Sequence, residues 1–193
     1  MTCWGADAYS HPPGGEFAEV GSGFSTTCGV RPAGGRVCWG DNRYGQGVPP
    51  AGPFAQINTV SGSVNCGIRP SGEAVCWGDV NAWLIPQPGV FQQLSGATNP
   101  GGAYLCGLRV DGTVECWGGG LEEPPPPGSF STISAGWDHR CGIRLDETAV
   151  CWGDLFMIDD LVPPEGSYLD VAAGGNQAGF TGQPSKKARP ADL

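Results

Sequence analysis

The triplet Cys-Trp-Gly occurs five times in this chain, at Cys3, Cys38, Cys76, Cys116 and Cys151, at intervals of 35, 38, 40 and 35 residues. A repeat of that length is the tightest constraint on the fold. A unit so short cannot bury its own apolar face and must stack on copies of itself. Four of the triplets are preceded, ten positions earlier, by a second cysteine: Cys28, Cys66, Cys106 and Cys141. Each of these opens a Cys-Gly-aliphatic-Arg run: CGVR, CGIR, CGLR and CGIR. Upstream of each pair come a Pro-rich turn, an aromatic residue, a short alternating segment and a glycine, most clearly in the run from Gly128 through Phe130 and Ile133 to Gly136.

Each unit therefore reads as three short strands. The first is the alternating run, such as 54–60 or 130–134. The second starts at the first cysteine of the pair, and the third ends in Cys-Trp-Gly. Between the second and third lies a turn, Pro70-Ser71-Gly72 in one copy and Val110-Asp111-Gly112 in another, and Asp-Gly between apolar runs signals a hairpin. Cys66 and Cys76 are equidistant from Ser71 and should face each other across the hairpin, where opposed Cβ atoms approach disulfide distance. The expected bridges are Cys28–Cys38, Cys66–Cys76, Cys106–Cys116 and Cys141–Cys151, each worth about 2–4 kcal/mol. A structural zinc site is the competing reading. It is disfavoured because zinc pairs are usually separated by about two to four residues, and only His11 and His139 could assist.

Units of 35–40 residues with three strands indicate an all-β fold, a β-propeller or a β-solenoid. The chain begins with a lone third strand, Cys3-Trp4-Gly5. It ends with a lone first strand, 168–174, and a lone second strand, 177–181. Pairing these would complete a shared blade and close a propeller of about five blades, removing exposed sheet edges. Cys3 is then expected to be the odd cysteine, because Ala178 or Gly179 occupies its partner's position. Residues 1–182 read as one repeat domain and 183–193, with Lys186-Lys187-Ala188-Arg189, as a flexible tail.

The stretch from Ala135 to Asp154, of the form AGxxHxCGIRxDxxxVCWGD, resembles the regulator of chromosome condensation repeat, as does Trp39-Gly40-Asp41-Asn42-Arg43-Tyr44-Gly45-Gln46. The likeness runs from Cys3 to about Gly179 and is nearest to the bacterial secreted branch of that family, which includes propeller-type β-lactamase inhibitors. It implies a propeller and a binding role, since the family ranges over exchange factors, inhibitors and other binding proteins. The chain departs from the family in two ways. The Gly-Gln after the third strand survives only in the first full unit, and five blades are fewer than the family's usual seven.

Composition narrows function. The formal net charge is −9, and the only two lysines, Lys186 and Lys187, lie in the tail, so no basic stripe exists for nucleic acid or an acidic membrane surface. No segment approaches 18 consecutive apolar residues, which excludes a membrane-spanning helix. Nine cysteines suggest an oxidising compartment, although Met1-Thr2-Cys3-Trp4-Gly5 is no signal peptide. The expected origin is a secreted or cell-surface protein whose signal peptide is absent from this chain; a cytosolic protein with reduced thiols is the rival.

Catalytic groups are scarce. With two histidines there are few general bases; His139 is expected to support a turn and His11 to be solvated. Asp159-Asp160 and Glu122-Glu123 read as solvated loops, adjacent carboxylates pointing apart, and no residues call for a cofactor or metal. The tryptophans in register read as packing between blades, whereas Trp83 and Trp137 break the register. The segments flanking the second and third strands lie at the end opposite the hairpin turn and vary most among units. They nominate Phe24, Tyr44, Trp83, Tyr104, Trp137, Asp138 and Phe156 as a binding surface for a protein partner, with an acidic complement suited to a basic patch. A lectin-like glycan site and a hydrolase using loop carboxylates are the alternatives. Intact mass after alkylation without reduction should show one modified thiol and eight hydrogens missing; nine modified thiols would remove the disulfide framework.

Overall fold

The computed structural model describes residues 12–23, 25–80, 84–120, 123–153, 162–174 and 177–184. These residues form only β-strands, turns and loops, in five antiparallel sheets taken in chain order. The first sheet holds β1 (Glu19–Ser22), β2 (Thr26–Val30) and β3 (Arg36–Gly40); the second, β4 (Gln56–Thr59), β5 (Val64–Ile68) and β6 (Ala74–Gly78). The third holds β7 (Phe91–Asn99), β8 (Gly102–Arg109) and β9 (Val114–Gly118); the fourth, β10 (Phe130–Ala135), β11 (His139–Arg144) and β12 (Ala149–Gly153). The fifth pairs β13 (Gly166–Ala173) with β14 (Ala178–Pro184).

All four expected disulfides form, each with a Cα–Cα distance of 4.0 Å. In each hairpin the two cysteines are directly opposed, as Cys66 is to Cys76. The turn that sets this register is repeated: the arginine nitrogen donates to the carbonyl four residues on, and the left-handed residue donates back to the arginine carbonyl. That left-handed residue is Gly34, Gly72 or Gly112 in the first three sheets, with φ of 76°, 85° and 84°. In the fourth sheet it is Glu147, at φ 68°.

Alternation along the strands gives each sheet two apolar faces. One carries the disulfide and the aliphatic residue of the Cys-Gly-aliphatic-Arg run. The other carries the first-strand phenylalanine, an aliphatic residue and the tryptophan. Each disulfide face packs on the next sheet's aromatic face: Cys28 and Val30 against Phe54, Ile57 and Trp77, then Cys106 and Leu108 against Phe130, Ile133 and Trp152. Within a sheet the phenylalanine and tryptophan rings sit close, 5.3 Å apart for Phe54 and Trp77 and 5.9 Å for Phe130 and Trp152. The glycine after the first cysteine makes room for this stack, since a Cβ on Gly67 would lie 2.6 Å from the Phe54 ring.

The arginine of each run secures the other side of that ring. Arg69 lies 4.2 Å over Phe54 and donates to the Pro53 carbonyl, and Arg144 lies 5.1 Å over Phe130 and donates to the Pro127 carbonyl. The innermost strands are clipped by amide side chains. Gln56 donates to the Leu94 carbonyl and accepts from the Leu94 nitrogen, and Gln93 does the same with Ile133. Ser95 and Ser134 add a contact each, accepting from Ala135 and Ala173 nitrogens.

The fifth sheet breaks the pattern. Register places Gly179 at the cysteine position and Phe180 where the other sheets have glycine. The Phe180 ring meets Tyr168 at 5.3 Å and packs against the cluster formed by Cys141, Ile143, Tyr168 and Val171. A second-strand side chain thus supplies the aromatic contact that tryptophan supplies elsewhere. The expected closing strand, Cys3-Trp4-Gly5, lies outside the described residues. Strand β14 runs to Pro184, two residues past the expected domain limit.

Glu147 adopts a conformation that glycine takes without a Cβ penalty, at a cost for other residues of roughly 1 kcal/mol. Its carbonyl accepts from the Tyr168 nitrogen, a contact any residue would keep. Glu147→Gly should therefore raise the stability by about 0.5–1 kcal/mol, read as a higher urea midpoint at unchanged slope.

Candidate functional site

At the end of the sheets opposite the hairpin turns, loops of the first three sheets surround an open cleft of about 850 Å³. Its lining includes Ser25, Asp41, Arg43, Tyr44, Ser61, Ser63 and Asp79, with Val60, Val64, Leu84, Ala97 and Ala103 as the apolar part. That volume falls within the range of about 300–1,000 Å³ typical of ligand sites. These are the segments singled out by their variability among the units.

The loop after β3 is held by its own side chains. Arg43 grips Asp41, with its Nη2 2.7 Å and its Nε 2.9 Å from Oδ2, while the Arg43 nitrogen donates to Oδ1. This guanidinium holds the Asp41 carboxyl below the usual carboxylate range. Asn42 accepts from the Gly47 nitrogen and Gln46 from the Tyr44 nitrogen. Gln46 is fully buried and docks the loop onto the second sheet: its side chain donates to the Gly62 carbonyl, and its own carbonyl accepts from Trp77 Nε1 at 2.9 Å and Asn65 Nδ2 at 2.8 Å. The Gly-Gln pair that survives in one unit is thus a clasp between sheets. Where it is missing, the indole nitrogens of Trp117 and Trp152 are buried without a partner. Tyr44 is left with 55 % of its surface exposed at the cleft.

The other nominated residues separate into three groups. Trp137 is 47 % exposed at the same end of the fourth sheet and Asp138 beside it is half-buried, but neither lines the cleft. Phe24, Trp83 and Phe156 lie outside the described residues. Tyr104 is a correction: it is wholly buried and cannot serve as a surface anchor. Its hydroxyl donates to the Gly136 carbonyl with His139 O at 3.3 Å, Arg140 covers its ring at 4.2 Å, and burial pushes its pKa up to about 12. The error arose from placing the second strand's start at the cysteine. In the structure it begins at or before the position two residues earlier, so Thr26, Val64, Tyr104 and His139 are strand residues, all buried.

His139 is also corrected in detail. It is buried, but its ring nitrogens lack hydrogen-bond partners, and the turn is held instead by its backbone carbonyl, which accepts from the Gly136 nitrogen. Of the acidic pairs, Glu123 accepts from the Gly153 nitrogen, while Glu122, Asp159 and Asp160 lie outside the described residues. Among the described residues no three His, Cys, Asp or Glu side chains group as metal ligands, and no helix is long and apolar enough to cross a membrane.

Burial lowers the His139 pKa, the nearby Gln177 backbone opposing the shift without ordinary hydrogen-bond geometry. An imidazole with a depressed folded pKa takes up its proton more readily when unfolded. Stability should therefore hold above the ordinary value of 6.5 and fall as pH drops from there toward the folded value. Urea titrations of His139→Asn should show a flatter acid limb than the parent chain.

The sequence matches no protein-family model and no curated protein. Solved structures do match. The ectodomain of the Physcomitrella patens receptor kinase CR4 is 25 % identical, with a TM-score of 0.65 over 82 % of this chain and 44 % of its own. The CRINKLY WD40 ectodomain of the Arabidopsis thaliana receptor kinase ACR4 is 27 % identical, with a TM-score of 0.63 over 88 % of this chain and 65 % of its own. Prp20p of Saccharomyces cerevisiae, also called yeast RCC1, is 13 % identical, with a TM-score of 0.67 over 92 % of this chain and 59 % of its own. The chain thus spans between 44 and 65 % of these proteins. With its three-stranded sheets in sequence order and its stacked disulfide and aromatic faces, the chain is an all-β propeller of the kind seen in yeast RCC1 and the plant receptor ectodomains.

Proposed function

We propose that the chain is a non-catalytic protein-binding module of a secreted or cell-surface protein, engaging its partner through the loops opposite the hairpin turns. The observation that carries this reading is the cleft among three neighbouring sheets, built on a disulfide-held scaffold, with the exposed Tyr44 ring in its lining and the exposed Trp137 ring at the same end of the fourth sheet. Rigid sheets presenting variable loops are the usual architecture of recognition, and large aromatic side chains contribute most per residue to it. Four disulfides favour an oxidising compartment. Prp20p has been studied for its binding to Gsp1p and histones, and its complex with Kap60 is solved, which supports a protein partner for this propeller as well. Inhibition of a partner enzyme, as in the secreted relatives the repeat resembles, is the finer form of the proposal. Residues 1–182 would act as one domain, with the remainder as a tail.

The alternatives are weaker. The Asp41 carboxylate is locked in an ion pair with Arg43, which leaves it unsuited to act as the acid or base of a hydrolase. A glycan would find hydroxyls and an aromatic in the cleft, and a glycan array separates that reading from the protein one. With a partner identified by crosslinking, Tyr44→Ala or Trp137→Ala should each weaken binding by about 2 kcal/mol, roughly thirty-fold. Leu145→Ala, at the opposite end, should leave it unchanged. Equal effects from both ends would sink the proposal.

A further inference from the structure

The cleft contains two carboxylates in different states. Asp41 is only 8 % exposed and already satisfied by Arg43 and by backbone nitrogen. Asp79, just past β6, is exposed; its backbone nitrogen donates to the Ser63 carbonyl, but its carboxylate makes no hydrogen bond or ion pair with the described residues. An unengaged anion beside a concave, partly apolar surface is an acceptor for a cation. The wall beside it is aliphatic: Val60, Val64 and Leu84 are buried, and Ala97 and Ala103 are half-buried. Tyr44 presents its ring at the same cleft, and an aromatic face attracts a cation, arginine more often than lysine.

We infer that this cleft receives one arginine side chain of the partner protein, its stem lying along Val60, Leu84 and Ala97 and its guanidinium meeting the Asp79 carboxylate and the Tyr44 ring. Charge complementarity selects this occupant, for the chain carries a net charge of −9 and the charged lining of the cleft, Asp41, Arg43 and Asp79, sets two carboxylates against one guanidinium. Guanidinium is also the cation best suited to the site. It is weakly hydrated, pairs with a carboxylate through two parallel donors and stacks on aromatic rings. A lysine would offer a compact, strongly hydrated charge and gain less from Tyr44. The inference rests on the reading of the chain as a protein-binding module and names the group that the module recognises.

The test uses the whole chain and a probe that needs no partner: N-acetyl-arginine methylamide, with the neutral citrulline analogue as control, titrated by amide NMR. The arginine derivative should shift Gly62, Ser63, Gly96 and Ala97 in a saturable way, and the citrulline derivative should not. Asp79→Asn should weaken the arginine derivative about ten- to a hundredfold, the range for a lost charge-assisted hydrogen bond. Tyr44→Leu should weaken it several-fold, and Asp146→Asn at the turn end should have no effect. Equal binding of the two analogues, an unaltered Asp79→Asn variant, or shifts spread over the whole acidic surface would overturn the inference. So would a neutral methyl glycoside saturating the same amides. None of these results bears on partner binding through Tyr44 and Trp137, so the two proposals fail separately.

Discussion

Everything in this molecule depends on one contact, repeated: the disulfide face of each sheet against the aromatic face of the next. Three strands of four to nine residues cannot enclose a core between themselves. The core is therefore the series of interfaces between sheets, each holding a disulfide, aliphatic side chains and an aromatic pair, phenylalanine with tryptophan in the first three and tyrosine with phenylalanine in the fourth. A hairpin disulfide closing a loop of about ten residues contributes roughly 3 kcal/mol through the unfolded chain alone. Here it does a second job as a compact apolar surface, with Cys28, Cys66 and Cys141 fully buried. The glycine after the cysteine follows from the same contact, because any larger residue would push the phenylalanine off the tryptophan.

Much of this was legible in the sequence because it recurs. Period, cysteine spacing and turn chemistry identified the three-strand unit, the four bridges and the propeller. What escaped were interactions whose residues look ordinary one at a time. Gln56 and Gln93 carry no signal of their own in the sequence, yet each spans to the next sheet and brackets its backbone. The arginine of each run was visible as a repeated letter without a role. Its role, clamping the phenylalanine ring and a carbonyl in the Pro-rich segment, needs three parts of the unit brought together in space. Tyr104 was misplaced for a local reason. A position occupied by threonine, valine, tyrosine and histidine looks like a variable loop, and only the true start of the second strand shows it to be interior.

The fifth sheet shows how the same contact can be met by a different sequence. Phe180 fills from the second strand the space that a third-strand tryptophan fills elsewhere, and Tyr168 replaces the phenylalanine. With Gly179 at the cysteine position, the opposite face carries Asp170, Ala172, Gly179 and Thr181, all exposed. It is small and polar where the corresponding faces of the other four sheets carry a disulfide.

Recognition becomes possible where the repeat is allowed to vary. The buried faces are held to nearly the same residues in each unit, since every substitution there must satisfy two sheets at once. The loops opposite the turns carry no such double obligation once they are clasped. Gln46 provides that clasp in the first loop: by meeting Trp77 and Asn65 of the next sheet it fixes the backbone and leaves the Tyr44 ring outward. Among the described tryptophans in register only Trp77 has such a partner; Trp39, Trp117 and Trp152 bury their indole donors unpaired, a cost of about 1–3 kcal/mol for each donor. The cleft lies on the first three sheets, beside the loop that carries Gln46. Sequence regularity in the scaffold and a single clasp together place the exposed Tyr44 ring and the exposed Asp79 side chain on the same open surface.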